Sequence, residues 1–260
     1  MKIGFIGCGN MGAAILAGIH RQHTCYACEP RPERQAALKK KYKVLFGMVA
    51  DVVKVSDVII LAVKPQDLPD LLAEMSRLPL GQKLVVSIAA GVTTFSIEKK
   101  LGGAVRVIRV MPNLPAMVGA GMSGLCRGKR ATEKDAALVK GFFDLVGQTL
   151  VVPERAIDAV TAVSGSGPAY VFLFVECMMT AARKLGFTAK DARLLVYQTL
   201  AGSAMMLAQS EESPQALRAR VTSKGGTTAA AIEVFMSKDI QAVFTEALTA
   251  ARARAKELSV

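Results

Sequence analysis

The chain of 260 residues suits one large or two modest domains, and its 52% hydrophobic content excludes a disordered protein. Lys and Arg outnumber Asp and Glu by 33 to 21, which leaves a formal net charge of +12 and suggests an anionic partner. The two histidines, His20 and His23, are neighbours at the end of one predicted helix. We therefore expect neither a histidine-rich metal site nor a His-based catalytic triad.

Between residues 2 and 152 the chain alternates short apolar runs with helical patterns. The predicted strands are Lys2–Ile6, Thr24–Cys28, Asp57–Val63, Lys83–Ile88, Ala104–Val110, Gly121–Arg127 and Gln148–Val152. The predicted helices are Asn10–Arg21, Pro32–Lys41, Pro65–Arg77, Thr94–Leu101 and one that begins near Thr132. The first five strands are rich in Val and Ile and mostly lack polar alternation, which is typical of strands buried on both faces. This order predicts the α/β class with a parallel, doubly wound sheet.

After Pro153 only helical patterns remain. They span Ile157–Val163, Pro168–Leu185, Ala189–Ser210, Pro214–Arg220, Thr228–Met236 and Lys238–Leu258. The long helices are apolar on more than one face, which indicates burial against another helix layer of this chain or of a second copy. We therefore predict two domains, 1–152 with the sheet and 153–260 all helical, the second serving as an oligomer interface.

The apolar stretch near the N-terminus imitates a signal peptide. Three glycines and Asn10 interrupt it, and no A-x-A-like cleavage site follows. No apolar window reaches the length of an uninterrupted membrane span. We therefore expect a soluble, cytoplasmic protein with no membrane partner.

A glycine pattern follows the first predicted strand and opens the first predicted helix. It reads Gly7-Cys8-Gly9-Asn10-Met11-Gly12. In such a G-x-G-x-x-G pattern the first glycine permits a tight turn, the second admits a pyrophosphate to the backbone, and the third lets helix and strand pack closely. Free N–H groups and the helix dipole then favour the phosphates. The pattern predicts a dinucleotide cofactor.

Residues at the carboxyl ends of the strands should border this cofactor. Glu29, after the second strand, suits the ribose 2′-hydroxyl of NAD, whereas Arg31 and Arg34 suit the 2′-phosphate of NADP, so the choice between NAD(H) and NADP(H) stays open. Two further loops, Ala62-Val63-Lys64-Pro65 and Ile88-Ala89-Ala90, follow the next strands. Asn113 leaves the fifth strand at the same edge, from which it can reach the nicotinamide region.

The helical half contains two polar, glycine-rich segments that we predict to be loops. They are Ser164-Gly165-Ser166-Gly167-Pro168 and Thr222-Ser223-Lys224-Gly225-Gly226-Thr227-Thr228. The second stands just before a helix, where hydroxyls and free amides form a cradle for a small anion such as a carboxylate.

In this order, these segments resemble pyrroline-5-carboxylate reductase. The shared segments are the glycine pattern, Ala62-Val63-Lys64-Pro65, Val86-Ser87-Ile88-Ala89-Ala90-Gly91, Arg109-Val110-Met111-Pro112-Asn113, Ala162-Val163-Ser164-Gly165-Ser166-Gly167-Pro168-Ala169-Tyr170 and Ser223-Lys224-Gly225-Gly226-Thr227-Thr228. The resemblance implies a Rossmann-type domain followed by an all-α dimerisation domain, with dimers that often assemble into decamers. It also implies reduction of 1-pyrroline-5-carboxylate to L-proline with a nicotinamide cofactor, NADP(H) being favoured.

The same resemblance assigns residue roles. The pyrophosphate would lie on Gly7 to Gly12, the rest of the cofactor along Ala62 to Pro65 and Ile88 to Ala90, and the substrate carboxylate on Ser223, Gly226, Thr227 and Thr228. Glu154 would border the substrate, and Thr228 is the candidate catalytic hydroxyl near the imine nitrogen. Three positions depart from the family: Lys224 stands where Pro is usual, Met48-Val49 where an Asn commonly contacts the adenine ribose, and Glu29 is unusual beside a 2′-phosphate.

Two other functions compete with this one. The first is a related imine or hydroxyacid oxidoreductase of the same two-domain plan. The hydroxyacid enzymes use a lysine about one turn beyond a glycine-rich helix start. The corresponding stretch here, Ser164 to Cys177, contains no lysine, and the next lysine is Lys184. The second is a non-enzymatic dinucleotide sensor or nucleic-acid-binding protein that uses its basic surface. No aromatic residues interleave with the basic runs, and the loop Gly225-Gly226-Thr227-Thr228 has no obvious purpose in such a protein. We therefore expect an enzyme whose partners are a small substrate and further copies of itself, and not nucleic acid.

Overall fold

An eight-stranded sheet forms the first half of the chain in the computed structural model, which describes residues 1–102 and 104–259. Its strands are β1 (Lys2–Ile6), β2 (Thr24–Cys28), β3 (Val44–Phe46), β4 (Val58–Leu61), β5 (Leu84–Ser87), β6 (Arg106–Met111), β7 (Gly121–Arg127) and β8 (Gly147–Val151). The spatial order is 3-2-1-4-5-6-7-8, and all neighbours are parallel except β6 and β7. The predicted α/β class and doubly wound sheet are confirmed.

Helices connect these strands. They are α1 (Asn10–Ile19), α2 (Pro32–Lys41), α3 (Val49–Val55), α4 (Leu68–Met75), α5 (Thr94–Lys100) and α6 (Glu133–Asp144). At the start of α6 the Thr132 hydroxyl accepts a hydrogen bond from the Asp135 N–H, and the Asp135 carboxylate accepts one from the Thr132 N–H. This reciprocal pair satisfies two backbone donors and fixes where α6 begins.

The composition of β4 explains why the strands lack polar alternation. All four residues of β4 are buried. Because side chains alternate along a strand, Val58 and Ile60 join the apolar core on one face of the sheet, and Ile59 and Leu61 join the core on the other. The sheet is therefore covered by helices on both faces, as parallel sheets are.

The sequence patterns predict neither β3 nor α3. β3 is an edge strand of only three residues, Val-Leu-Phe, and this apolar run is too short to predict a strand. The predicted helix over 65–77 is in fact a 3-10 helix, Pro65–Asp67, followed by α4. Pro69 lacks an N–H and can occupy only the first turn of a helix, which is why α4 begins at Leu68.

The second half of the chain is helical, as predicted. Its α-helices are α7 (Ile157–Val160), α8 (Gly167–Lys184), α9 (Ala189–Gln209), α10 (Pro214–Arg220), α11 (Thr227–Ser237) and α12 (Ile240–Glu257). The predicted loop at 164–168 is wrong: a π-helix, Thr161–Gly165, leads into α8, and the Ser166 N–H donates to the Thr161 carbonyl at 2.8 Å. Such π-helical turns frequently occur at functional sites.

Two compact units divide the chain: residues 1–168 together with 250–259, and residues 169–249. The sheet ends at Val151, in line with the predicted boundary at 152, but its compact unit extends further because Ile157 of α7 is fully buried. The last turn of the chain also belongs to this unit. Gly91 has a φ of 73°, and a Cβ there would lie 2.5 Å from the Leu258 carbonyl oxygen.

The helical unit has almost no core of its own. Of residues 169–249, all of which the structure describes, only Ala192 and Val196 are buried. Large apolar side chains such as Phe172 and Met205 are exposed instead. The helical run Glu154–Lys184 even has the length and apolar composition of a membrane span, contrary to the sequence-based expectation. An apolar helix that packs against a partner has the same composition.

Candidate active site

The turn between β1 and α1 has the geometry of a dinucleotide-binding turn. Gly7 has a φ of 87°, in the left-handed region, and a Cβ there would lie 2.7 Å from the Ala62 carbonyl oxygen. A Cβ on Gly12 would lie 2.7 Å from the Gly7 carbonyl oxygen. Gly9 differs, since a Cβ there would have no neighbouring atom within 4 Å. The three glycines thus provide a tight turn, an open approach to the backbone and close helix packing.

The other residues of this turn leave the start of α1 open to an anion. Cys8 is buried, Met11 packs against the core, and Asn10 is exposed. Among the residues that the structure describes, no side chain caps this helix, so its first N–H groups are unpaired and the helix dipole favours a negative charge there. Burial raises the pKa of the Cys8 thiol to about 12, so this side chain adds no competing charge.

Glu29 follows β2 directly and is held by several donors. Its side chain is only 2% exposed. Oε2 accepts from the Cys8 N–H at 3.0 Å, and Arg31 binds both oxygens, through Nε at 2.7 Å and Nη2 at 3.1 Å. Burial would raise the pKa of Glu29, but the hydrogen bonds from Arg31 and Cys8 outweigh it and lower this pKa below its ordinary value. Glu29 is therefore a buried, charged carboxylate.

Arg34 supports the same turn from α2. Its Nε donates to the Cys8 carbonyl, and its Nη2 donates to the Asn10 Oδ1 at 3.0 Å. The guanidinium groups of Arg31 and Arg34 and the carboxylate of Glu29 therefore all contact this turn or its neighbours. The sequence identifies all three residues, but it does not reveal that Arg31 pairs with Glu29.

The predicted cofactor loops lie at the carboxyl ends of β4 and β5. Ala62, Val63 and Ile88 are half-buried, Ala89 is buried, and Lys64, Pro65 and Ala90 are exposed. The strand order reverses between β1 and β4, and ligands of open parallel sheets bind at such a switch point. Contact between these residues and a cofactor stays a prediction with a clear topological basis.

Asn113 has a structural role that the sequence does not predict. It is 8% exposed, its Nδ2 donates to the Ser164 carbonyl at 3.0 Å, and its Oδ1 accepts from the Met122 N–H at 2.8 Å. The side chain therefore ties the loop after β6 to β7 and to the π-helix. One Nδ2 hydrogen remains for a ligand, and the predicted contact with the nicotinamide remains untested.

Glu154 belongs to a polar cluster at the carboxyl edge of the sheet. Its carboxylate accepts from the Thr94 N–H at 2.7 Å and from the Thr94 hydroxyl at 2.6 Å. Arg109, whose side chain is 4% exposed, lies 3.4 Å away through Nη1. The sequence gives no signal of this cluster because its members are 45 and 60 residues apart. The predicted contact of Glu154 with the substrate stays a prediction.

The predicted substrate loop lies in the helical unit, directly before α11. Gly225 has a φ of 73° and turns the chain, and Gly226 is the N-cap residue of α11. The Gly226 N–H donates to the Ser223 carbonyl at 3.1 Å. Within the described part of the chain no side chain caps α11, so the N–H groups of its first turn are free of intrahelical partners.

The hydroxyls of this loop divide into two kinds. Thr222 donates to the Arg218 carbonyl at 2.6 Å. Among the described residues, by contrast, none forms a hydrogen bond with the hydroxyls of Ser223, Thr227 and Thr228. Three free hydroxyls beside an uncapped helix N-terminus are suited to a small anion.

Family comparisons cover both halves of the chain. Residues 154–258 match the family model described as pyrroline-5-carboxylate reductase dimerisation, and residues 2–91 match the one described as NADP oxidoreductase coenzyme F420-dependent. Pyrroline-5-carboxylate reductase of Escherichia coli (strain K12) is 39% identical over 264 residues, which cover 99% of this chain and 98% of that protein.

Solved structures agree with these matches. The pyrroline-5-carboxylate reductase of Coxiella burnetii superposes with a TM-score of 0.94 at 39% identity and covers 99% of this chain and 98% of its own. The Plasmodium falciparum pyrroline carboxylate reductase with NADP bound gives a TM-score of 0.86 at 29% identity, over 100% of this chain and 98% of its own. Sequence and fold agree along the whole chain, and this protein therefore belongs to the pyrroline-5-carboxylate reductase family.

Proposed function

We propose that this protein reduces the cyclic imine 1-pyrroline-5-carboxylate to L-proline with a nicotinamide cofactor. The observation that carries the proposal is the full-length match to the family at 39% identity. When bound, the reduced nicotinamide supplies a hydride from its C4 to C5 of the imine. The ring nitrogen takes up one proton, and the C=N double bond becomes a single bond.

The residues of the sheet unit fit such a cofactor. The turn from Gly7 to Gly12 binds the pyrophosphate, because the backbone at Gly9 faces open space and the start of α1 is uncapped. The loops Ala62–Pro65 and Ile88–Ala90 border the remaining cofactor at the switch point of the sheet. The free hydrogen of the Asn113 amide is the candidate donor to the nicotinamide region.

The residues of the helical unit fit the substrate carboxylate. Ser223 and Thr227 contribute free hydroxyls, and the first turn of α11 contributes free N–H groups. An imine accepts a hydride poorly until its nitrogen is protonated. A threonine hydroxyl is a weak acid, so Thr228 orients this nitrogen more than it protonates it. Glu154, which belongs to the sheet unit, is the further candidate to border the substrate, and Thr94 holds its carboxylate.

We also propose that the helical unit forms a dimer. A layer with only two buried residues, Ala192 and Val196, cannot be stable without a partner. An apolar groove of about 700 Å³, lined by Val171, Phe172 and Tyr197 among others, supports the proposal, because large exposed apolar patches mark interaction sites. Sedimentation at micromolar concentration should give a dimer or a multiple of it, and a stable monomer would contradict the proposal. Decamer assembly and a cytoplasmic location stay predictions.

Initial-rate measurements test the activity. Oxidation of NADPH and NADH is followed at fixed enzyme concentration with 1-pyrroline-5-carboxylate, and the reduction of NAD⁺ and NADP⁺ is followed with 3-hydroxy acids. We expect imine-dependent oxidation of reduced cofactor and no turnover of the hydroxy acids. Turnover of the hydroxy acids alone would contradict the proposed function and indicate a hydroxyacid dehydrogenase.

A further inference from the structure

Glu29 stands where the sequence rule for dinucleotide-binding sheets points to NAD. An acid at the end of the second strand usually accepts a hydrogen bond from the adenosine ribose 2′-hydroxyl and so disfavours a 2′-phosphate. This rule requires a carboxylate oxygen that is free to accept. Whether Glu29 has such a free oxygen depends on the hydrogen bonds that its carboxylate already accepts.

The carboxylate of Glu29 is already saturated. Oε2 accepts from the Cys8 N–H and from Arg31 Nη2, while Oε1 accepts from the Arg31 N–H at 3.2 Å and from Arg31 Nε at 2.7 Å. Two carboxylate oxygens offer about four acceptor positions, and four donors fill them. The side chain is 2% exposed, so turning it toward a ribose would break a buried bond to the glycine-rich turn.

Arg31, unlike Glu29, is exposed and keeps an unused hydrogen-bond donor. Its side chain is 51% exposed, although Nε and Nη2 are fixed on Glu29. Among the described residues, none accepts a hydrogen bond from its Nη1. The guanidinium is therefore held rigidly by one edge while the other edge faces solvent. A guanidinium fixed in this way is suited to bind a phosphate, because its planar array of donors matches the phosphate oxygens.

A second guanidinium lies beside this position. Arg34, with Nε on the Cys8 carbonyl and Nη2 on Asn10, donates to the same turn. Glu33, exposed in the first turn of α2, lies near Arg31 as well, so the two acids and two arginines of this segment balance in formal charge. The preference for a 2′-phosphate therefore comes from the free donors that the fixed guanidinium of Arg31 presents, which a bare 2′-hydroxyl cannot use as fully.

We infer that Glu29 does not bind the ribose but instead positions Arg31, and that this Glu29–Arg31 pair makes the protein select the 2′-phosphorylated cofactor, NADPH over NADH. The inference rests on the proposed function and deepens it. Glu29 acts here as a positioning residue, and Arg31 is the residue that contacts the phosphate. The acid that indicates NAD in the sequence thus supports binding of NADP in the fold.

Equilibrium binding of NADP⁺ and NAD⁺ without any imine tests the inference, by calorimetry at fixed ionic strength. The wild-type protein should bind NADP⁺ about tenfold or more tightly than NAD⁺. Arg31→Met, which keeps the apolar stem, should weaken NADP⁺ about ten- to a hundredfold and change NAD⁺ binding less than about threefold. Arg21→Met is the matched control, since this exposed arginine follows α1 at the opposite edge of the sheet.

Glu29→Gln separates the two roles of the acid. If Glu29 positions Arg31, this variant weakens NADP⁺ and leaves NAD⁺ nearly unchanged. If Glu29 accepts from the ribose, the same variant weakens NAD⁺ and strengthens NADP⁺, which would overturn the inference. Equal losses of both cofactors in Arg31→Met would overturn it as well. Adenosine 2′-monophosphate, titrated against adenosine, reports on the phosphate contact alone in each variant.

These binding measurements distinguish failure of the inference from failure of the proposed function. Selection of NADP⁺ does not depend on which substrate is reduced. A protein that reduces the imine but prefers NAD⁺ refutes only the role of the Glu29–Arg31 pair. A protein that prefers NADP⁺ but does not reduce the imine refutes only the proposed function.

Discussion

The glycine-rich turn allows a prediction that separates folding from cofactor binding. Gly7→Ala places a Cβ at a φ of 87° and 2.7 Å from the Ala62 carbonyl oxygen. The left-handed backbone costs about 1–2 kcal/mol for an L-residue, and forcing an atom into a packed site costs about 1–3 kcal/mol more. We expect Gly7→Ala to lower the free energy of unfolding by about 2–5 kcal/mol, the sum of the two costs.

Gly9→Ala should leave the stability of the fold nearly unchanged and weaken cofactor binding instead. Gly9 has φ −57° and ψ −173°, which alanine also adopts, and its Cβ would have no neighbour within 4 Å. The expected loss of unfolding free energy is below about 1 kcal/mol, the effect of a changed N-cap. The new methyl group occupies the space through which a pyrophosphate reaches the backbone, so NADP⁺ binding should weaken about fivefold to a hundredfold.

Urea unfolding at one protein concentration and calorimetric titration with NADP⁺ give both quantities for each variant. Gly81→Ala is the matched control, because Gly81 has a φ of 50° but open space around its Cβ position. It reports the backbone cost without the clash. The reasoning is refuted if Gly9→Ala binds NADP⁺ within twofold of wild type, or if Gly7→Ala is no less stable than Gly81→Ala.

Three further predictions concern the substrate loop, a buried thiol and a buried acid. Thr228→Ala should lower kcat/KM for the imine about ten- to a hundredfold. Thr222→Ala should leave kcat/KM nearly unchanged, because the Thr222 hydroxyl already donates to the backbone. Equal effects of the two variants in steady-state assays would argue against the assignment of Thr228. Cys8, with its pKa raised to about 12, should resist iodoacetamide at pH 8 until the protein is unfolded in urea, as read by mass spectrometry. Because the pKa of Glu29 is lowered by folding, its ionised form stabilises the folded state above the unfolded-state pKa of about 4.5, and this contribution is lost as the pH falls. The difference in unfolding free energy between wild type and Glu29→Gln, measured by urea titration, should therefore shrink in acid. A difference that grows in acid would contradict this.

Local patterns with one strong physical cause were predictable from the sequence. The glycine pattern specifies a turn because only glycine tolerates the backbone of Gly7 and the close approach at Gly12. Apolar runs such as β4 identify strands because both faces of the sheet are covered. The bounds of α2 and β7 match the prediction at both ends. For α2 the cause is local, since Pro32 begins the helix as its first residue.

Features that depend on distant partners could not be predicted. Glu154 meets Thr94 and Arg109 only after the sheet has formed, and no spacing in the chain relates them. The pairing of Glu29 with Arg31 is local, but both residues also suit separate ligands, and their hydrogen bonds to each other appear only in the folded chain. The residue types at the candidate site were thus readable from the sequence, whereas the partner that each one uses was not.

The helical unit is joined to the sheet unit by two connections, one near residue 168 and one near residue 249. A single proteolytic cut at either connection therefore leaves the two units covalently linked, and release of the helical unit requires two cuts. A fragment ending at residue 168 lacks the segment that lies against Gly91 and would therefore expose the loop after β5, which we predict to border the cofactor.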